Sequence, residues 1–162
     1  MTERVPLKHV RLEDGHWCVE AEIFLPRPRD EIFAFFQDAY NLELLTPDFL
    51  RFEVLTPRPI EMKVGALIEY RLRLHGIPIG WRTEISEWNP PYAFVDEQLK
   101  GPYRRWHHTH EFIEKDGGTL CKDRVLYKVF GGAFIQRFFV KKDVETIFAY
   151  RTERLRALFG AP

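Results

Sequence analysis

The chain offers little for covalent or metal cross-linking. Its 162 residues include only two cysteines, Cys18 and Cys121, and neither stands in a CxxC or zinc-type spacing, which excludes a disulfide framework and a zinc ribbon. Both fall in strand patterns, as buried thiols in a reducing compartment do. Net charge is absent too: 24 Lys and Arg balance 24 Asp and Glu, so no overall field draws the protein to nucleic acid. No stretch approaches about 18 uninterrupted apolar residues, and the N-terminus carries no apolar run of signal length. A cytoplasmic protein without stable membrane insertion is therefore expected. No GxGxxG, P-loop, Ser-His-Asp or Cys-His motif occurs, and no repeat or low-complexity linker divides the chain. A single domain over residues 1–162 is expected, burying roughly 70% of its unfolded surface, enough for a core and a cavity.

What is abundant is aromatic: 15% of residues, with 14 Phe and 4 Trp. Such rings fill cores and also line pockets for apolar or ring-containing ligands. After a polar lead-in over residues 1–15, Trp17 to Leu25 alternates as a half-buried strand. Pro28 with Asp30 and Glu31 opens a short helix carrying Ile32, Phe33 and Phe36, since proline and acids suit a first turn. Asn41 to Thr46 predicts a second. Strands follow around Phe52–Leu55, Gly65–Leu74, Trp81–Ile85, Phe94–Lys100, Trp106–Glu114 and Thr119–Val129, separated by Gly and Pro turns and the Asp116-Gly117-Gly118 hairpin. From Gly131 to Phe159, Val140, Val144, Ile147, Phe148, Leu155, Leu158 and Phe159 fall on one helical arc that also contains Arg151. The expected fold is α+β: a seven-stranded curved antiparallel sheet, two short helices after the first strand, and a long C-terminal helix over the sheet.

That order resembles the helix-grip fold of the START-like (SRPBCC) superfamily, which includes polyketide cyclases and aromatases, Bet v 1-like proteins, lipid-transfer domains and quinone-binding chaperones. The resemblance covers nearly the whole chain and sharpens in Phe94-Val95-Asp96-Glu97-Gln98-Leu99-Lys100-Gly101-Pro102-Tyr103, then Trp106, His108, His110 and Phe112, then Thr119, Asp123, Val125 and Tyr127, then Ile147-Phe148-Ala149-Tyr150-Arg151. These residues look like the bacterial cyclase/dehydrase branch. The resemblance implies a deep cavity between sheet and helix, without implying a reaction. Some members are fused to an epimerase-like domain, and with no GxGxxG here such a role would be in trans.

His108 and His110, two apart on a strand, share a face with Trp106 and Phe112, and Asp123 shares a face of the next strand with Cys121, Val125 and Tyr127. Two imidazoles and a carboxylate then meet in an apolar setting, either as a self-satisfied buried network, as ligand contacts, or as an acid/base pair. The His-x-His pair with Asp123 as a third ligand is weak grounds for a metal, and neither a metal nor another cofactor is expected. Arg151 needs a counter-charge, from Asp96, Glu97 or Asp123, or a ligand oxygen. Tyr70, Trp81, Gln98, Trp106 and Tyr127 complete the candidate ligand contacts. Glu20 and Glu22, the basic hairpin of Lys100, Arg104 and Arg105, and the helix pair Lys141-Lys142 read as solvated.

Three functions follow as expectations. The first is binding or carriage of a small hydrophobic or aromatic molecule. The second is a polyketide-like cyclase or dehydratase using His108, His110, Asp123 and Arg151. The third is an interaction module for an epimerase-like partner, through a hairpin read as exposed at Tyr103, Arg104 and Arg105.

Overall fold

The computed structural model describes residues 7–160. Strands β1 (Leu7–Arg11), β2 (Trp17–Leu25), β3 (Glu53–Val54), β4 (Leu67–Leu74), β5 (Ile77–Asn89), β6 (Ala93–Lys100), β7 (Tyr103–Lys115) and β8 (Gly118–Val129) form one antiparallel sheet in the order β1-β2-β8-β7-β6-β5-β4-β3. Helices α1 (Arg29–Gln37) and α2 (Leu42–Leu45) follow β2, and α3 (Gly132–Ile135) and α4 (Lys141–Phe159) close the chain. The sheet has eight strands, not the seven expected. The extra one, β1, lies in the stretch read as a polar lead-in. Its inner positions are Leu7 and His9, and a histidine at an inward position hides the alternation that marks a half-buried strand.

Irregular register bends the sheet. Shifts between Arg82 and Thr83 and between Ile85 and Glu87 disturb the β5–β6 pairing, and such bulges raise local twist. The β7–β8 turn uses Asp116 and Gly117 at φ +48° and +76°, the left-handed pair a two-residue hairpin favours. The turn between β4 and β5 falls at His75-Gly76, one residue earlier than the sequence pattern placed it.

The terminal helix is not uniform. Gln136–Val140 forms a π-helical turn between α3 and α4, a widening found where a helix must re-aim its side chains. Beyond it Val144, Phe148, Arg151, Thr152 and Leu155 are buried along one face, while Leu158, expected on that face, is exposed at the helix end. Two apolar clusters result. One gathers Ile32, Phe33 and Phe36 of α1 with Phe94, Phe112 and Leu155. The other gathers Tyr103, Tyr127, Val144 and Phe148.

Candidate functional site

Between those clusters lies a polar group built by three neighbouring strands. Register sets Asp96 of β6 opposite His108 of β7, and His110 of β7 opposite Asp123 of β8. Period-two alternation turns all four inward. Phe94 stacks on His110 at 4.1 Å between ring centroids, and the two imidazoles stack on each other at 3.7 Å. Phe148 of α4 closes on His108 at 5.8 Å. The imidazoles are thus positioned by rings from both clusters.

The two carboxylates accept most of the hydrogen bonds in the group, and Arg151 Nη2 also lies 3.4 Å from His110 Nδ1. Asp123 Oδ1 accepts from His108 Nε2 at 2.7 Å and stands 3.2 Å from His110 Nδ1. Arg151 of α4 reaches the same carboxylate with Nε and Nη2, both at 3.3 Å. Asp96 Oδ2 accepts from His110 Nε2 at 2.6 Å. Among the described residues His108 Nδ1 has no hydrogen bond, and Asp96 Oδ2 stands 3.7 Å from it, too far for one. With Nε2–H committed to Asp123, that Nδ1 carries a lone pair.

Charge follows the same logic. Burial alone would raise Asp123, yet the Arg151 guanidinium and the two imidazoles hold it well below the usual carboxylate range. Burial works against Asp96 in the same way, and His108, His110 and Arg151 outweigh it to leave its pKa lowered. Burial and the neighbouring His110 push His108 down. For His110, burial is overcome by the hydrogen bonds to Asp123 and Asp96, and its pKa is raised. Two carboxylates face one guanidinium and two imidazoles, and of the two rings His110 is the one whose surroundings favour a second proton.

The group lines part of a cavity of about 170 Å³ whose remaining wall is largely apolar. Tyr70, Trp81, Trp106, His108, His110 and Arg151, all singled out in the sequence, line it, together with Asp96, Thr83, Ile147 and Phe148. Three singled-out residues do not. Asp123 stands behind the histidines. Gln98 is spent on the β6–β7 hairpin, donating to the Tyr103 carbonyl at 2.7 Å and accepting from its N–H at 3.2 Å. Tyr127 belongs to a separate chain: Gln136 donates to the Tyr127 hydroxyl, which donates to His9 Nε2, both at 2.6 Å, and His9 Nδ1 donates to Glu145 at 3.1 Å.

Asp96 is the site residue that sequence reasoning set apart only as a partner for Arg151. Its place two residues after Phe94 on an inward-facing alternation was the available signal. Glu97, offered as another partner, faces the other side and meets His107 at 2.7 Å. Burial pushes the Cys121 thiol up to about 12, with Asp123 adding to it, so this cysteine is no nucleophile. Tyr103, read as exposed, is buried against Trp81, Trp106 and Tyr127. The exposed aromatic residues at this end are instead Phe130, Phe134, Phe138 and Phe139.

Comparison with known proteins agrees with this architecture. A family model described as polyketide cyclase / dehydrase and lipid transport matches residues 25–153. Protein Ms6760 of Mycobacterium smegmatis has a similar structure at TM-score 0.68 and 17% identity, over 94% of this chain and 97% of that one. Ara h 8.0201 is similar at TM-score 0.62 and 16% identity, over 88% and 99%. The major latex-like protein 151 of Panax ginseng is similar at TM-score 0.66 and 11% identity, over 89% and 97%. These likenesses are of fold. No curated protein sequence matches the chain. Among the described residues no helix is long and apolar enough to cross a membrane.

Proposed function

Because the chain belongs to the polyketide cyclase / dehydrase and lipid transport family, we propose that it binds a small hydrophobic or aromatic molecule carrying a polar oxygen at one end. The observation that supports this reading is the cavity itself, largely apolar in its lining and carrying Asp96, His108, His110 and Arg151 together in its wall. An apolar cavity of ~150 Å³ holds a benzene ring, so about 170 Å³ suits a one- or two-ring body. Apolar walls supply affinity, and the polar groups supply orientation. A hydroxyl or enol on the ligand would donate to the lone pair of His108 Nδ1, which accepts no hydrogen bond among the described residues.

Gentle ionisation of the purified protein in a mass spectrometer tests this, alongside titration with 1-anilinonaphthalene-8-sulfonate. The expected result is a co-purifying small molecule or saturable probe uptake that quenches Trp81 and Trp106. Clean apo protein with no uptake of the probe sinks the reading.

One observation favours chemistry in the same cavity. His108 and His110 stack on each other in environments that push their pKa values apart, His108 down and His110 up, which suits the first to act as a base and the second as an acid. A cyclisation or dehydration needs such a pair. On that reading His108→Gln abolishes turnover of a polyketide-like substrate while the melting temperature stays near wild type. Undiminished turnover in that variant excludes it.

A further inference from the structure

Three side chains lining the cavity bring donor atoms together. Asp96, His108 and His110 each offer one ligand atom, and these lie within 4.8 Å of one another; the contacts to Asp96 Oδ2 come from His110 Nε2 at 2.6 Å and His108 Nδ1 at 3.7 Å. Between His108 Nδ1 and Asp96 Oδ2, 3.7 Å apart, a lone pair faces a lone pair. We propose that Asp96, His108 and His110 form a binding site for a first-row divalent transition ion, with its open side turned into the cavity.

The second layer is arranged as such a site requires. A ligating histidine donates its other ring N–H to a carboxylate, which fixes the tautomer and makes the free nitrogen a better donor. Here both rings turn their other nitrogen to one carboxylate, Asp123, at 2.7 and 3.2 Å. Arg151 holds Asp123 from behind at 3.3 Å. Asp123 is thereby committed to the second layer, and Asp96 takes the ligand position that the sequence pattern had offered to Asp123.

The fit needs the two rings, stacked at 3.7 Å with 29° between their planes, to tilt until both lone pairs meet one ion, together with small shifts in distance. Metal–ligand bonds of about 2.0–2.2 Å place neighbouring donors roughly 3–3.5 Å apart. The His110–Asp96 contact of 2.6 Å must therefore open by some tenths, and the His108–Asp96 distance of 3.7 Å must close by some tenths. Asp96 keeps partial exposure toward the cavity and can turn. Two imidazoles and a carboxylate without thiolate suit zinc, iron(II) or cobalt(II).

Charge balance specifies what completes the site. On binding, the Nε2 proton of His110 leaves to solvent and a metal–nitrogen bond takes its place. A divalent ion thereby replaces a single proton, and the group gains one positive charge. An anionic oxygen offsets that charge, either hydroxide or the deprotonated hydroxyl or enol of the bound molecule. This last step rests on the ligand-binding reading of the cavity; uptake of the metal does not.

The test uses the full chain stripped with chelator, titrated with Zn²⁺ by calorimetry and with Co²⁺ by visible absorption. The expected result is one equivalent of ion, ligand-field absorption from Co²⁺, and proton release that scales with buffer ionisation. Asp96→Asn and His110→Gln each weaken binding by at least about 100-fold, and Asp123→Asn, acting through the rings, by about 10–100-fold. His107→Gln, on the opposite face of β7, leaves binding unchanged. Should the cluster variants fail to fold, Co²⁺ quenching of Trp106, whose ring lies 6.3 Å from His108, reads the site in the wild-type protein. Absence of stoichiometric binding, or binding that survives Asp96→Asn, overturns the proposal. Probe uptake measured in excess chelator separates the two readings, since an empty metal site leaves it intact and a failed cavity abolishes it.

Discussion

Arg151 on the terminal helix grips Asp123 on β8 through two contacts, Nε to Oδ2 and Nη2 to Oδ1, each 3.3 Å. The pair ties α4 to the centre of the sheet behind the two histidines, with both side chains almost wholly buried. Its net contribution to stability is small, because desolvation offsets attraction, but removing one partner strands the other. Arg151→Met is expected to cost about 3–5 kcal/mol, read as a fall in the urea midpoint. Asp123→Asn added to that variant recovers part of the loss. An unchanged midpoint in Arg151→Met would mean that the pair holds nothing together.

Ile147 lines the cavity from the helix one turn before Arg151 and is only half-buried. A tryptophan there can point its ring into existing space instead of displacing packed atoms, which keeps the overpacking cost near the low end of about 1–3 kcal/mol. Ile147→Trp should therefore fold and lose saturable uptake of 1-anilinonaphthalene-8-sulfonate by at least tenfold. Full uptake by a folded Ile147→Trp protein would show that the probe binds elsewhere.

How much of this was legible follows from what each residue's neighbours do. Arg151 stood out because a cation on an apolar arc needs a partner wherever it goes. His108 and His110 stood out because alternation fixes which strand residues share a face. Asp96 did not, since its role comes from the β6–β7 register, and pairing between distant strands is not local information. Alternation also misled. Gln98 shares parity with Asp96, but regular β6–β7 pairing ends at Glu97, and beyond it the Gln98 amide bonds the Tyr103 backbone instead. Tyr127 shares parity with Asp123, yet four residues along a strand is about 13 Å, which carries it past the cavity to β1 and α4. The π-helical turn that brings Gln136 to Tyr127 has no signature in the apolar period. The fold class depended on none of these details.

Gln98 supplies a direct check on that distinction. Its amide bonds both backbone groups of Tyr103 across the β6–β7 turn, two neutral hydrogen bonds of about 1 kcal/mol each. Gln98→Ala is expected to lower stability by roughly 1–3 kcal/mol and to leave probe affinity within twofold of wild type. A large loss of affinity at unchanged stability would return Gln98 to the cavity.

His9 joins the edge strand to the terminal helix, and its position sets a pH dependence. Its Nδ1–H donates to Glu145 and its Nε2 accepts from Tyr127, so the neutral ring satisfies both partners. A second proton on Nε2 would face the Tyr127 hydroxyl, whose own hydrogen would have to turn away while Gln136 already donates to it. Burial lowers the His9 pKa from 6.5; Glu145 opposes this and Lys141 adds to it. The folded state thus binds this proton less readily than the unfolded chain does. The contribution of a neutral His9 is present in full above about pH 6.5 and is lost as the pH falls toward the lower folded value. His9→Gln removes the titration. Urea midpoints at pH 7.5 and pH 5 should therefore differ more for wild type than for His9→Gln, with wild type losing more on acidification. Equal slopes for the two proteins would show that the fold does not discriminate between the charge states of His9.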